Sequence, residues 1–516
     1  MISRICIGFA LLATSGLAST GTTPKSSDIP SDTIQPFELQ PFLVPAHPVL
    51  EGGVLAPILS AGIPETPESA IRAFETTPGL SIGSRGPSSK EPNIRGLSFD
   101  RVLTTWNGLP LPNAAPTRTG SPINTSSLLA GSTMDIHLTG NDLISGPGVS
   151  GGRIVFETPA GLQSGIEHSL AHLSFASNPL GISVAARSAW HIQTQFRIDQ
   201  HTDEARSTHR HTLGKPVHEW YTAYSGAKDP ETRVTHTLPS LSFQTAWRPS
   251  LRPWAIHAAV AATSQNPTPT ERFRAMLPAL GGGYEIGNPN LDPEAQVRGE
   301  VAVHIESRRG FIHFTAWHSR FDSFIQRHAI GPYQSAPLFS FRNVDARLSG
   351  IEWASSFDLL THRSRLSDGY PRLDLPLAIS WTTGDFLDPD GAWTSLAEIP
   401  PLRIRTGIEH SFAHDQRRFR LAAYATWEAS RSNPDPNLFP TLSDSGDHLT
   451  FDIEAKIWAA STWSVELQVR NVGNLEYARH LSPRPSIPLA NGSPLPSDKA
   501  IPDPGRSFLL SLSKSF

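Results

Sequence analysis

The end of the chain, PGRSFLLSLSKSF (504–516), decides the expected fold. From Phe508 onward the even positions carry Phe, Leu, Leu, Lys and Phe, whereas the odd positions between them are mostly serine. A period of two residues predicts a β-strand with one apolar face and one small, polar face. Chain ends usually fray and are polar. A terminus this regular is therefore expected to pair within a sheet, with its apolar face against a protein core or lipid.

Five internal segments show the same alternation, and the polar faces of four of them carry charged residues. They are residues 180–190, 254–260, 373–381, 451–457 and 463–469. Tryptophan stands at one end of several such apolar faces, at Trp190, Trp254, Trp381, Trp427 and Trp463. Roughly ten residues is the length of a tilted transmembrane strand, and aromatic residues collect at the two membrane interfaces. The pattern favours a membrane barrel over a soluble sandwich or propeller, whose strands also alternate.

Composition excludes several classes of protein. Only 17% of the 516 residues are charged and the formal net charge is -4, which argues against a nucleic-acid partner. The 46 prolines and 39 glycines favour turns and short strands over long helices. No run of 18 apolar residues is present, so the sequence predicts no transmembrane helix.

The N-terminal stretch MISRICIGFALLATSGLAST (1–20) has the layout of a secretory signal peptide. Arg4 supplies the positive charge, residues 5–12 the apolar core and residues 16–18 a small-residue cleavage site. We predict a signal peptide over residues 1–18. The only cysteine, Cys6, lies within it, so the mature chain is expected to lack disulfides, cysteine–metal sites and a cysteine nucleophile.

Several stretches resemble a known family, the TonB-dependent outer-membrane receptors. NIRGLSFDRVLTTWNGLPLP (93–112) and GPGVSGGRIVFETP (146–159) are similar to its plug domain. Five further stretches resemble the barrel turns and strands of this family: NPTPTERF (266–273), YEIGNPNLDPE (284–294), FRNVDARLSGIEW (341–353), RNVGNLEYARHL (470–481) and the final strand.

The resemblance implies a mostly β fold, with an N-terminal α/β plug inside a transmembrane antiparallel β-barrel. We expect a flexible periplasmic segment over 19–50, the plug over 51–160 and the barrel over 161–516. The barrel portion is short for the 22 strands of the family, so we predict about 16 strands, with 22 as the upper bound.

The resemblance also implies active uptake of a scarce substrate such as a ferric siderophore, cobalamin or a metal complex. The energising partner would be a TonB-type protein in the periplasm. FELQPFLVPA (37–46) is the candidate TonB box, centred on Pro41, Phe42, Leu43 and Val44, which would add to a partner's sheet edge. Pro41 and Pro45 each remove a ladder donor, so a plain linker is the alternative. The terminal Phe516 resembles the signal recognised by the barrel assembly machinery.

The plug motifs supply the candidate site residues. Four positions are expected in the plug core, with Arg95 or Arg101 holding the plug in the lumen: Arg95, Gly96, Arg101 and Gly108. Three loop positions are candidate contacts for the cargo: Trp106, Asn107 and Asn113.

Other chemistry finds less support in the sequence. His201, His209, His211 and His218 are close enough in sequence to capture a metal, although loop or lumen residues are the plainer interpretation. GPGVSG (146–151) fits the dinucleotide-binding pattern, but a strand-like RIVF follows where a helix is needed. We predict no cofactor and no enzyme activity. Two alternatives stay open: a degenerate or passive barrel, and a secreted soluble β-sandwich binding protein.

Overall fold

The computed structural model describes residues 58–60, 74–84, 90–98, 101–106, 109–111, 123, 133–138, 150–157, 189–204, 219, 221–222, 233–249, 253–274, 277–278, 284–307, 309–333, 336–360, 371–414, 417–434, 444–459, 463–482 and 502–514. The predicted signal peptide, the segment 19–50 and Phe516 lie outside these residues.

Short strands form the N-terminal part of the described chain, between residues 58 and 157, which we call the plug. They are β1 (Ile58–Ser60), β2 (Leu80–Ser84), β3 (Lys90–Ile94), β4 (Leu97–Ser98), β5 (Val102–Trp106), β6 (Leu109–Leu111), β7 (Thr133–His137) and β8 (Gly152–Glu157). One sheet has the order β1-β7-β8-β5-β6, with β5 and β8 parallel, and a smaller sheet has the order β2-β3-β4. Fully buried side chains such as Phe74, Ile94, Ile136 and Phe156 form the plug core.

Twelve long strands of the described chain follow one another in a single antiparallel path. They are β9 (Ala189–Glu204), β10 (Arg233–Arg248), β11 (Trp254–Gln265), β14 (Glu294–Ser307), β15 (Gly310–Tyr333), β16 (Ala336–Asp358), β17 (Arg372–Leu387), β19 (Arg403–His414), β20 (Arg417–Glu428), β21 (His448–Ala459), β22 (Trp463–Arg470) and β23 (Ser507–Lys514). We call this the large sheet. The predicted total of about 16 strands also draws on residues 161–188, which are not among those described, and so stays a prediction.

Smaller elements branch from the large sheet. They are β12 (Leu277–Pro278), β13 (Tyr284–Glu285), β18 (Trp393–Ser395) and the helix α1 (Pro269–Phe273). The helix starts with a capping box, in which Thr268 and Glu271 bond each other's backbone N–H groups, as the sequence TPTE favours. Among the described residues, no helix has both the length and the apolarity needed to cross a membrane.

The two faces of the large sheet have opposite polarity, and the apolar one faces outward. On β23, Phe508, Leu510 and Leu512 are 70%, 71% and 66% exposed. The neighbouring β22 exposes Trp463, Val465 and Leu467 and buries Ser464 and Gln468. The alternation predicted for 373–381, 451–457 and 463–469 is confirmed, with the polar residues inside. A soluble sandwich would show the reverse burial pattern.

Connections at the two ends of the large sheet differ in length. At one end the strands join through residues 249–253, 308–309, 415–416 and 460–462, with 359–371 as the longer exception. At the other end they join through residues 205–232, 266–293, 388–402, 429–447 and 471–506, with 334–335 as the short exception. We call these the short-turn end and the long-loop end.

Candidate functional site

The tight turn between β3 and β4 presents the first site residue. Ile94 pairs with Leu97, which leaves Arg95 and Gly96 as a two-residue loop with φ of 53° and 85°. Positive φ at both positions is the type I′ geometry that matches the twist of a hairpin, and it favours glycine at the second position. A Cβ on Gly96 would lie 2.6 Å from Ile399 Cδ1, so the turn packs directly against residues of the 388–402 connection.

Arg95 projects from this turn into a buried ion-pair cluster on the inner face of the large sheet. Its Nε and Nη2 donate to the two carboxylate oxygens of Glu352 on β16 at 2.5 and 2.6 Å. Its Nη1 donates to Glu300 on β14 at 2.6 Å. The indole N–H of Trp317 on β15 donates a hydrogen bond of 3.1 Å to Glu352, and the Arg298 guanidinium lies 3.2 Å from the Glu300 carboxylate. The guanidinium therefore bridges the plug to two strands.

Burial alone would lower the pKa of Arg95, whose side chain is 1% exposed. The two carboxylates of Glu352 and Glu300 outweigh that effect and raise the pKa above its ordinary value. The guanidinium is therefore a permanent cation. Gly79 of the plug lies directly against the Glu352 carboxylate, where a Cβ would collide with it.

Arg101 makes a second connection between the plug and the large sheet. Its guanidinium bonds both oxygens of Glu294 at the start of β14, at 2.5 and 3.2 Å, and the carbonyl of Ile325 at 2.8 Å. The Ile325 N–H also donates to Glu294, at 2.7 Å. The guanidinium carbon lies 4.2 Å from the centre of the Phe324 ring, a cation–π distance.

Backbone groups of the plug supply further contacts. Arg403 on β19 donates to the carbonyl oxygens of Thr77 and Leu80 at 2.8 and 2.7 Å. The Gly79 N–H donates to Ser380 on β17 at 2.9 Å. These bonds satisfy plug carbonyl and N–H groups that strand pairing leaves open.

Glu75 lies near the long-loop end of the sheet, facing residues of the last connection. Its carboxylate is 3.0 Å from Arg479 and 3.8 Å from Arg470 at the end of β22. Burial alone would raise the pKa of Glu75, but attraction to Arg479, Arg470 and Lys90 lowers it to about 2. Arg479 also faces Asp503 at 3.5 Å. The carboxylate is therefore ionised throughout the physiological range.

The remaining predicted residues fall in different places. Trp106 ends β5 and packs against the apolar core of the plug. Asn107, Gly108 and Asn113 lie outside the described residues, as do Pro41, Phe42, Leu43 and Val44.

The predicted histidine group is described only in part. His201 is exposed on β9 near the long-loop end, whereas His209, His211 and His218 are not among the described residues. Within the part of the chain that the structure describes, no group of three or more His, Cys, Asp or Glu side chains is arranged to hold a metal ion.

The sequence reasoning did not single out the acidic partners Glu294, Glu300 and Glu352, nor Glu75. Glu294 and Glu300 could have been found from the alternation of β14. Its inner-facing positions are unusually polar for a strand that also carries Val297 and Val301: they read Glu294, Gln296, Arg298 and Glu300. Their pairing with plug arginines depends on contacts about 200 residues apart in sequence, which alternation does not encode.

Comparison with known proteins identifies the family. The TonB-dependent Receptor Plug Domain model matches residues 65–152. The TonB dependent receptor-like, beta-barrel model matches residues 173–472, more than half of the chain. The chain belongs to the TonB-dependent receptor family. The family consists of outer-membrane receptors and transporters, so the large sheet is its barrel and the predicted plug-and-barrel fold is confirmed. A search of curated protein sequences found no significant match.

Solved structures support the fold of this receptor. The copper transporter OprC is 13% identical with a TM-score of 0.68, and the match covers 89% of this chain and 98% of that one. The ferric enterobactin receptor PfeA from Pseudomonas aeruginosa, in complex with enterobactin, is 11% identical with a TM-score of 0.56, covering 89% and 99%. The siderophore receptor PirA from Acinetobacter baumannii is 11% identical with a TM-score of 0.53, covering 85% and 95%. At these identities the likeness is one of fold.

Proposed function

We propose that this receptor takes up a scarce substrate actively across the outer membrane, with energy supplied by a TonB-type protein. The observation that carries the proposal is the pair of plug arginines, Arg95 and Arg101, bonded to carboxylates inside the barrel. Breaking a buried ion pair by separating its partners costs several kcal/mol, roughly 3–5. A plug held in this way favours energised transport over free diffusion.

The candidate residues take the following roles in this proposal. Arg95 and Arg101 anchor the plug, and Gly96 and Gly108 are its proposed core glycines. Trp106, Asn107 and Asn113 are the proposed contacts for the cargo. The plug is taken as residues 51–160 and the barrel as 161–516. The protein is a receptor and not an enzyme.

Export and energy coupling depend on segments near the two ends of the chain. Residues 1–18 are the proposed signal peptide, and residues 19–50 form the periplasmic segment. Within it, Pro41–Val44 are the proposed TonB box. Phe516 is the proposed recognition residue for the barrel assembly machinery, and the outer membrane is the proposed location of the protein.

The cargo class is proposed from the neighbours in fold. One neighbour is a copper transporter, another is a ferric enterobactin receptor and a third is a siderophore receptor. A ferric siderophore, cobalamin or another metal complex is therefore the proposed substrate. His201, His209, His211 and His218 are the candidate metal contacts.

Deletion of residues 36–46 tests the energised mechanism. Cells producing the full-length or deleted receptor are supplied with radiolabelled ferric siderophore, cobalamin or copper, and uptake is measured over time. We expect the deletion to abolish uptake of the transported compound while the barrel is still assembled in the outer membrane. Uptake that survives the deletion would contradict active transport and favour the passive barrel instead.

A further inference from the structure

Two loop segments at the long-loop end lie on the plug, and we call them together the lid. The first is residues 396–401, within the connection between β17 and β19, and the second is residues 477–482, within the connection between β22 and β23. His480 Nε2 lies 2.6 Å from the carbonyl oxygen of Ala397 and hydrogen-bonds it, so the two segments are joined to each other.

The first lid segment contacts the plug through apolar packing. Ile399 is fully buried in a cluster with Leu97 of the plug and with Leu348 and Phe386 of the barrel. Asn93 of the plug adds a longer bond, 3.4 Å, to the carbonyl oxygen of Glu398. This segment therefore fills the space between the plug turn and the barrel wall.

The second lid segment contacts the plug through charge. Arg479 pairs with Glu75 at 3.0 Å and with Asp503 of the same connection at 3.5 Å. The Asp503 N–H donates to the carbonyl oxygen of Tyr477 at 2.9 Å, which closes the connection on itself. Leu481 runs over Gly83 of β2, where an added Cβ would lie 3.2 Å from the Leu481 carbonyl oxygen. Glu75 of the plug is thus paired directly with this segment.

The contact between the second lid segment and the plug is polar and incompletely packed. A small cavity of about 20 Å³, enough for one water molecule, lies between β2 and residues 400, 401, 480 and 481. The buried hydroxyls of Ser81 and Ser482 have no hydrogen-bond partner among the described residues. Separating such a surface costs less than separating a dry, close-packed core, because less apolar contact is lost.

We propose that residues 396–401 and 477–482 form a lid whose closed position is held by the ion pair between Glu75 and Arg479, so that movement of the plug segment 74–84 releases the lid. The inference rests on the proposed function, since it assigns this movement to the transport cycle. Residues 74–84 follow the N-terminal segment on which the energising protein would pull. A pull that reaches them therefore acts on Glu75.

Coupling of this kind is reciprocal. If displacement of the plug segment favours the open lid, then a ligand that holds the lid open loosens the plug segment by the same free energy. Cargo that engages the lid from outside would therefore prepare the plug for energised movement. Cargo that leaves the lid closed would not reach β2.

The test measures whether the lid opens, without cargo and without uptake. Ser482→Cys places a thiol at a fully buried position whose hydroxyl makes no described hydrogen bond, and Cys6 lies in the predicted signal peptide. Intact cells producing the full receptor are treated with a bulky, membrane-impermeant maleimide, and the labelling rate is read as a gel shift. The rate reports how often the lid exposes residue 482.

Glu75→Gln should increase the labelling rate by at least about tenfold, the effect of losing one charged hydrogen bond of ordinary strength. Arg479→Gln removes the same pair from the lid side together with the pair to Asp503, so it should increase the rate at least as much. Adding Glu75→Gln to Arg479→Gln should change the rate little further. The matched control is Asp199→Asn, which removes a carboxylate from a pair with Arg197 on β9. It should leave the rate unchanged.

An unchanged rate in both Glu75→Gln and Arg479→Gln would overturn the proposal. So would an equal increase in Asp199→Asn, since that would indicate general loosening of the barrel. Uptake plays no part in this readout. If the deletion of 36–46 fails to abolish uptake but the labelling rates change as expected, the transport proposal is wrong and the lid proposal is supported. If uptake is abolished but the labelling rates do not change, the lid proposal is wrong and the transport proposal is supported.

Discussion

At the scale of single residues, the plug is held by buried and partly buried ion pairs. Arg95 is surrounded by Glu352, Glu300, Trp317 and Arg298, so two carboxylates and two guanidinium groups share one buried site. Such a cluster adds little net stability over an apolar replacement, because desolvation offsets the Coulombic attraction. It does penalise any arrangement in which the plug and the barrel separate, since each charge would then be left unpaired.

Arg95→Gln should therefore be strongly destabilising. It leaves Glu300 and Glu352 buried close together, and we expect the free energy of plug unfolding to fall by about 3–5 kcal/mol. The measurement is a urea titration of the purified receptor in detergent, with plug unfolding read by brief proteolysis. Arg347→Gln is the control, because its pair with Asp385 is partly exposed and should contribute less than about 1 kcal/mol. Equal losses in the two variants would contradict the assignment of Arg95 as an anchor.

The pH dependence of the Glu75 pair has a defined sign. The pKa of Glu75 is lowered from an ordinary 4.5 to about 2 by Arg479, Arg470 and Lys90, despite burial. A depressed carboxyl pKa stabilises the fold above the unfolded value and loses that effect as the pH falls through the folded value. The difference in melting temperature between wild type and Glu75→Gln should be constant from about pH 8 to pH 5 and should shrink between pH 4.5 and pH 2. A difference that disappears near neutral pH would contradict this assignment.

At the scale of elements, the β3–β4 hairpin determines where the anchor points. The two-residue turn needs positive φ at both positions, and its glycine lets Ile399 of the lid approach the backbone. Leu97, immediately after the turn, lies in the same apolar cluster as Ile399. One short hairpin therefore presents Arg95 to the barrel and its other side to the lid.

Comparing alanine substitutions at two glycines of similar conformation distinguishes the cost of backbone strain from the cost of overpacking. Gly96 and Gly391 have φ of 85° and 82°, but a Cβ on Gly96 would meet Ile399, Leu348 and Thr382, whereas Gly391 has nothing within 4 Å. Gly391→Ala should cost about 1 kcal/mol, the strain of the left-handed backbone. Gly96→Ala should cost a further 1–3 kcal/mol, roughly, for overpacking. Thermal unfolding midpoints give the comparison, and equal shifts would mean that the lid does not press on the turn.

The alternation of the strands was readable from the sequence because each barrel strand meets two different solvents. On β23 and β22 the apolar side chains predicted for one face are exposed on the outside, and the polar ones are inside. The partners of plug residues were not readable in this way. Arg95 and Glu352 are separated by 257 positions, and their pairing depends on how the plug sits in the lumen.

At the scale of the whole molecule, burial is inverted relative to a soluble protein. The outer surface exposes Phe, Leu, Val and Ile on adjacent strands, as at Phe243, Val260, Val297 and Phe451, while carboxylates, guanidinium groups and amides lie within. Exposed apolar surface of this extent is stable only against lipid or detergent.

Leu510→Arg should therefore impair insertion, whereas Ser511→Arg should not. Leu510 points outward near the middle of β23, where an arginine costs about 2–4 kcal/mol at the bilayer midplane. Ser511 is paired with Glu466 of β22 on the inner face, which would accept a new cation. Folding into lipid vesicles is measured as the fraction that migrates as a heat-modifiable band before boiling. A soluble wild-type protein with ordinary migration would contradict the membrane assignment.

The sequence by itself determined the β architecture, the polarity of each strand face and the plug motifs, because period-two alternation and turn residues act over a few neighbouring positions. Only the tertiary structure decided which carboxylates receive Arg95 and Arg101, and that residues 396–401 and 477–482 lie on the plug. Those contacts join residues far apart in sequence. The residues next to a charged side chain in the sequence do not indicate which opposite charge will pair with it when both are buried.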